Sequence, residues 1–343
     1  MKDMHDRVKT FSSKQPFALE TGAVLPELTI AYHTWGQLNE GGDNVIWVCH
    51  ALTANSNARE WWPNLIGPGL VFDTNRYFVV CANILGSCYG TTGPSSINPE
   101  TGQPYFYSFP FITIRDMVNA HDLLRKHLGI QKIHLLAGGS MGGYQVLEWA
   151  VKAPALCEHL FLITTSARES AWGIAIHTAQ RMAIETDSTW KEGRESDGLN
   201  GLKVARAIGM LTYRSYDSFV KTQTDHNNEK VDGFMASSYI QYQGEKLANR
   251  FTAHSYWHLS KALDSHNLAR GRGEMNEVLK SISAKTLVMG IESDLLCPVK
   301  ELVFLAEQIP SAQLITIGSL YGHDGFLVET AAISQHLSQW LYA

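Results

Sequence analysis

The sequence predicts an α/β protein on a mostly parallel, doubly wound sheet with a helical insertion, and three observations predict it. Short, nearly continuous apolar runs alternate with amphipathic stretches from about residue 28 to 165 and again after residue 283. Strands buried on both faces of a parallel sheet read this way. Between those regions the alternation stops and helical periodicity takes over. Finally, one apolar run ends in Gly138-Gly139-Ser140-Met141-Gly142-Gly143, where a strand breaks sharply into a helix.

Residues 45–49, 77–81, 133–137 and 160–164 are short apolar runs bounded by polar residues or glycine, and each is a predicted strand. Residues 112–128 form an amphipathic helix through Ile114, Met117, Ala120, Leu124 and Leu128, closed by Gly129. A second helix over 144–152 stops at Ala153-Pro154. Residues 172–184, 202–213, 235–248 and 255–263 all have helical character. The sheet pattern then resumes: strand 286–291, helix 299–308, strand 314–317 and helix 331–341. The expected organisation is therefore a core of residues 1–165 and 284–343, interrupted by a helical lid over 166–283. A separate helical domain is the competing reading of that insertion.

With 343 residues, 45% of them hydrophobic and 18% charged, the chain can bury a large core without disulfide or metal staples. A net charge of −5 and scattered basic residues argue against a nucleic-acid or anionic-membrane partner. Cys49, Cys81, Cys88, Cys157 and Cys297 form no C-x-x-C pair, so neither a zinc site nor a disulfide framework is indicated. Residues 1–14 are polar and no run has the length of a membrane span, so a cytoplasmic location is expected.

Gly138-x-Ser140-x-Gly142 has the form of a nucleophile elbow, whose serine sits on a strained turn and whose neighbours must be small. A glycine-rich turn with an incidental serine competes with it. A phosphate loop does not, because no Lys-Ser/Thr follows the glycines. A serine hydroxyl needs a base, and the base needs an orienting carboxylate. In the α/β-hydrolase arrangement these follow in the order serine, acid, histidine on later strand-end loops. Strand 286–291 is followed by Glu292-Ser293-Asp294, and strand 314–317 by Gly322-His323-Asp324. The expected catalytic set is Ser140, His323 and Asp294, with Glu292 as the competing acid. The oxyanion donors are expected to be the backbone N–H groups of Met141 and, from the loop after strand 45–49, Leu52. His50 on that loop reads as structural.

Longer segments carry a resemblance. Cys81 to Pro94 and Asn98 to Tyr105, Ala137 to Gly143 with Leu147-Glu148-Trp149, and Gly201-Leu202 with Ala205-Arg206 and Leu211-Thr212-Tyr213 are similar to the homoserine O-acyltransferases. Gln243-Gly244-Glu245-Lys246, Arg250-Phe251, Arg270-Gly271-Arg272-Gly273 and His323-Asp324 with Phe326-Leu327 extend the match along nearly the whole chain. The resemblance implies transfer of an acyl group, acetyl in the leading reading, from acyl-CoA to the side-chain hydroxyl of L-homoserine, toward methionine. It implies acetyl-CoA as co-substrate with no cofactor or metal, and a homodimer joined through the helical insertion. Arg206 and Asp324 are implied to hold the amino acid, with Tyr213 lining the site; arginine grips a carboxylate as a fork. Ala54-Asn55, Thr252, His254 and Tyr144 depart from the family pattern and bear on donor preference. A succinyl donor calls for a cation beside Leu52, where none stands. Serine as acceptor, a plain esterase and a silent binding module are the remaining alternatives.

Overall fold

The computed structural model describes residues 7–342. Its main sheet has eight strands: β1 (Lys9–Ser13), β2 (Leu28–Trp35), β3 (Val45–Cys49), β4 (Phe78–Ala82), β5 (Ile133–Gly139), β6 (Cys157–Ile163), β7 (Lys285–Ile291) and β8 (Ala312–Ile317), ordered β1-β2-β4-β3-β5-β6-β7-β8. From β4 to β8 every pairing is parallel. The first two strands pair antiparallel with their neighbours, and β1 extends the sheet beyond the alternating region. They escape the sequence pattern because an antiparallel edge needs no crossover helix and its outer strand is half exposed.

Apolar runs became strands because the sheet is covered on both faces. Trp47 and Leu136 point into one core; Ile46, Val48, Leu135 and Phe161 point into the other. Trp47 meets Trp149 edge-on at 5.0 Å between ring centroids, locking the sheet to the helix that follows the elbow. That helix, α2 (Met141–Lys152), starts three residues earlier than its apolar pattern predicts, because the glycines of the elbow already lie in its first turn. Before it, α1 (Ile114–His127) opens on a capping box between Thr113 and Asp116 and ends before Gly129, whose φ is 74°.

Between β6 and β7 the chain runs through α3 (Ala171–Glu185), α4 (Leu199–Tyr213), α5 (Tyr216–Gln223), α6 (Met235–Ala248) and α7 (Ala253–Asp264). Helix α5 is short and lies outside the predicted helices; Ser215 starts it by accepting the Ser218 N–H at 3.0 Å. Gly322, at φ +61°, lets the end of α4 dock against the loop after β8: a Cβ there would lie 2.9 Å from the Ser215 nitrogen and 3.1 Å from the Tyr213 carbonyl oxygen. Two helices close the chain, α8 (Val299–Gln308) and α9 (Thr330–Leu341). Among the described residues, no helix is long and apolar enough to cross a membrane.

Candidate active site

The carboxyl ends of β3, β5, β6, β7 and β8 open into one cavity of about 530 Å³. Ser140 sits where β5 turns into α2, with φ 54° and ψ −126°, a conformation that L-residues rarely adopt. Its N–H donates to the Ile163 carbonyl at 3.0 Å, so the strain is held by the neighbouring strand. Close approach makes the flanking glycines obligatory. A Cβ on Gly138 would stand 2.4 Å from the Gly142 carbonyl oxygen, and one on Gly142 would stand 2.1 Å from that of Cys49.

His323, on the turn after β8, places Nε2 2.9 Å from Ser140 Oγ and Nδ1 2.7 Å from Asp294 Oδ2. The other Asp294 oxygen accepts the N–H groups of Leu296 and Cys297, each at 2.8 Å, so this buried carboxylate is fixed at both ends. Glu292 contributes no bond to the imidazole. Burial works against a charged His323, but the charge and hydrogen bond of Asp294, helped by Asp324 and Glu169, outweigh it and raise its pKa above the ordinary histidine value.

Met141 opens α2, where backbone N–H groups have no intrahelical acceptor. Leu52 lines the cavity from the loop after β3, and its N–H has no acceptor among the described residues. His50 shapes that loop. It is fully buried, its Nδ1 lies 2.8 Å from the Ala51 carbonyl oxygen, and its Nε2 accepts the Ile84 N–H at 3.1 Å. Burial pulls its pKa down to about 4, which suits a neutral structural ring.

Arg206, Tyr213 and Asp324 line the same cavity. The Arg206 guanidinium lies 5.2 Å from the centre of the Tyr213 ring and has no carboxylate at ion-pair distance among the described residues. Asp324 pairs instead with Arg214, whose Nε is 3.0 Å from Oδ2. Burial raises the Asp324 pKa in spite of Arg206, Arg214 and His323 around it. Sequence reasoning missed Arg214, although its place directly after Tyr213 was a usable signal.

It also missed Glu169. Tyr144 lies four residues after Ser140, and its hydroxyl donates to Glu169 Oε2 at 3.0 Å, while Oε1 accepts the Ser170 N–H at 2.9 Å. Burial raises the Glu169 pKa against the pull of His177 and its hydrogen-bond donors. Thr252 and His254, the other unusual positions, do structural work. Thr252 caps α7, and His254 stacks on Trp190 and Phe106 at 4.9 and 5.1 Å.

All five cysteines are free; Cys297 donates to the Thr165 carbonyl in the cavity wall. Among the described residues, the side chains with metal-ligating potential that cluster are His134, Glu158 and His159, at the amino-terminal end of β5 and β6, opposite to Ser140.

A sequence model of the alpha/beta hydrolase fold matches residues 44–330, and the chain belongs to that family of enzymes. It is 48% identical over 319 residues to the homoserine O-acetyltransferase of Cyclobacterium marinum, covering 93% of this chain and 91% of that one. The crystal structure of homoserine O-acetyltransferase from Bacillus anthracis matches with a TM-score of 0.89 at 27% identity, over 98% of each chain. Esterase E22 matches with the same TM-score at 26% identity, over 98% of this chain and 99% of that one. Within the hydrolase fold, this chain is a member of the homoserine O-acetyltransferases.

Proposed function

We propose that the protein moves the acetyl group of acetyl-CoA to the side-chain hydroxyl of L-homoserine through an acyl-Ser140 intermediate. The continuous chain Asp294–His323–Ser140, with Ser140 and His323 lining one cavity, carries this reading. His323 takes the Ser140 proton as Oγ attacks the thioester carbonyl, and the N–H groups of Met141 and Leu52 hold the developing oxyanion, each worth about 2.7–4 kcal/mol. The C–S bond breaks and CoA departs as the thiol, taking the proton from His323. Homoserine then gives its hydroxyl proton to His323, attacks the acyl-serine, and Ser140 leaves with that proton. Asp294 steadies the imidazolium in both halves. No cofactor takes part in this scheme, and the reading puts the protein in the cytoplasm, on a step toward methionine. Acetylated Ser140 in the mass spectrum after mixing with acetyl-CoA is the expected result; an unmodified protein that still releases thiol would rule out the covalent route.

Homoserine presents a carboxylate, an ammonium and a reacting hydroxyl, and the unpaired Arg206 suits the first. The anionic groups within reach of the ammonium include Asp324. Segment 166–283 acts as the lid: it supplies Arg206 and Tyr213 and keeps water from the acyl-serine. Arg206→Ala is therefore expected to lower kcat/KM for homoserine at least about 100-fold, the scale of losing one partner of a buried charge pair. Slow thiol release without homoserine should persist. Unchanged homoserine kinetics would favour the esterase reading, which the likeness to esterase E22 keeps in play.

The raised pKa of His323 sets the pH response. Its proton must be absent for the attack, so the acidic limb of kcat/KM for acetyl-CoA is expected above 6.5, the ordinary histidine value. Stability runs the other way. The pairing with Asp294 stabilises fully below 6.5 and is lost as pH rises through the folded value. An acidic limb below 6.5 would contradict the raised His323 pKa.

Val204, Leu211, Tyr216 and Tyr242 are exposed on the helical segment. They support a homodimer formed through it. Sedimentation equilibrium showing only monomer at micromolar concentration would refute that contact.

A further inference from the structure

Several cations on the helical segment are matched by carboxylates. Lys203 meets Glu245 at 2.8 Å, Arg181 meets Asp264 at 2.5 Å and Arg214 meets Asp324 at 3.0 Å. Lys246 and Arg250, like Arg206, are not matched. Both are exposed, both line the cavity that holds Ser140, and neither has a carboxylate at ion-pair distance among the described residues. Lys246, in the last turn of α6, has its Nζ 6.0 Å from the Tyr242 ring centre. Arg250 uses one nitrogen, Nη1, to donate to the Thr53 carbonyl at 2.7 Å and the Tyr89 hydroxyl at 2.6 Å, leaving Nε and Nη2 for a ligand. Glu60, one of the acids lining the cavity, is held by Asn55 and Asn57, each at 3.1 Å.

We infer that Lys246 and Arg250 receive the phosphate groups of the CoA donor while its thioester lies at Ser140; this rests on the acyl-transfer reading above. A CoA thioester carries several negative charges at the end of a long neutral arm, remote from the reacting carbonyl. A protein with a net charge of −5 attracts such a ligand only through a local cationic site. Lysine supplies a mobile point charge and arginine a planar fork, the two standard means of gripping phosphate. Arg250 does a second thing. Thr53 follows Leu52, so the guanidinium that meets the phosphate also braces the loop carrying the proposed oxyanion N–H. Donor binding at the rim and oxyanion geometry at the centre thus share one side chain.

The test compares acetyl-CoA with acetyl-pantetheine, the same thioester without phosphate, by continuous thiol release. In Lys246→Gln the ratio of kcat/KM between the two donors is expected to fall about 5- to 10-fold, mostly through KM for acetyl-CoA, with a flatter dependence on ionic strength. Lys246→Glu should lower the ratio further. Arg250→Lys keeps the charge but loses the two-acceptor tie; it is expected to hold the ratio and lower kcat for both donors. A ratio unchanged in Lys246→Gln and Lys246→Glu would overturn the subsite. So would a wild-type protein that uses both donors equally well. A wild-type protein releasing thiol from neither would overturn the acyl-transfer reading itself.

Discussion

Ser140→Ala is expected to abolish acyl-enzyme formation and to lower kcat for thiol release from acetyl-CoA by roughly 10⁶-fold, the scale seen when a serine nucleophile is removed elsewhere. Its hydroxyl is the group aligned with the imidazole, at 2.9 Å. Fold and cavity should survive, because alanine removes one oxygen and leaves the backbone bond to Ile163 in place. The strained φ of 54° remains a cost in Ser140→Ala, whereas Ser140→Gly relieves it. Ser140→Gly should therefore be equally inactive yet melt at a higher temperature than Ser140→Ala. Stopped-flow thiol release and calorimetry read the two effects separately. Residual activity within about 100-fold of wild type would mean that another group carries the acyl chemistry.

Gly142→Ala should produce the largest loss of stability of any single methyl addition in the elbow. The new Cβ would fall 2.1 Å from the Cys49 carbonyl oxygen, which is backbone and has no rotamer to escape into. Relief requires β3 to move away from β5, or α2 to tilt off the sheet, and both disturb a fully buried packing of Trp47 on Trp149. Overpacking of this kind costs about 1–3 kcal/mol, and more where the clash is with backbone. Cys49 also precedes His50 and Leu52, so the same displacement pulls the loop that carries the proposed oxyanion donor. The expected phenotype is a fall in Tm together with a fall in kcat for every acyl donor. A variant that melts with the wild type would show that the strand and helix have slack that the distances deny.

Much of this architecture is readable without coordinates. The parallel strands are apolar along their whole length because both faces are covered, and Ser140 is marked by small residues that a strand-to-helix turn demands. His323 stands out among 14 histidines by its place after a late strand. Other features have no such local mark. Lys9–Ser13 lies at the sheet edge with a largely exposed pattern, so no periodicity announces it. Glu169 reads as an ordinary surface acid until β6 and α2 bring it against the Tyr144 hydroxyl. Thr252 and His254 look like changes in the site, yet one is a helix cap and the other a stacked ring.

The amino-acid order by itself determined the parallel strands, the elbow and the succession of serine, acid and histidine, because these are short-range patterns in which each residue type answers to its immediate backbone. Which carboxylate meets the imidazole was decided only in three dimensions. Glu292 and Asp294 share one loop, and the aim of that loop, fixed by the N–H groups of Leu296 and Cys297, selects the second. The pairing of Asp324 with Arg214, and the convergence of Arg206, Lys246 and Arg250 on one cavity, were likewise tertiary results. They depend on helices inserted between β6 and β7 folding back over strand ends more than a hundred residues away in some cases, a geometry set by long-range packing.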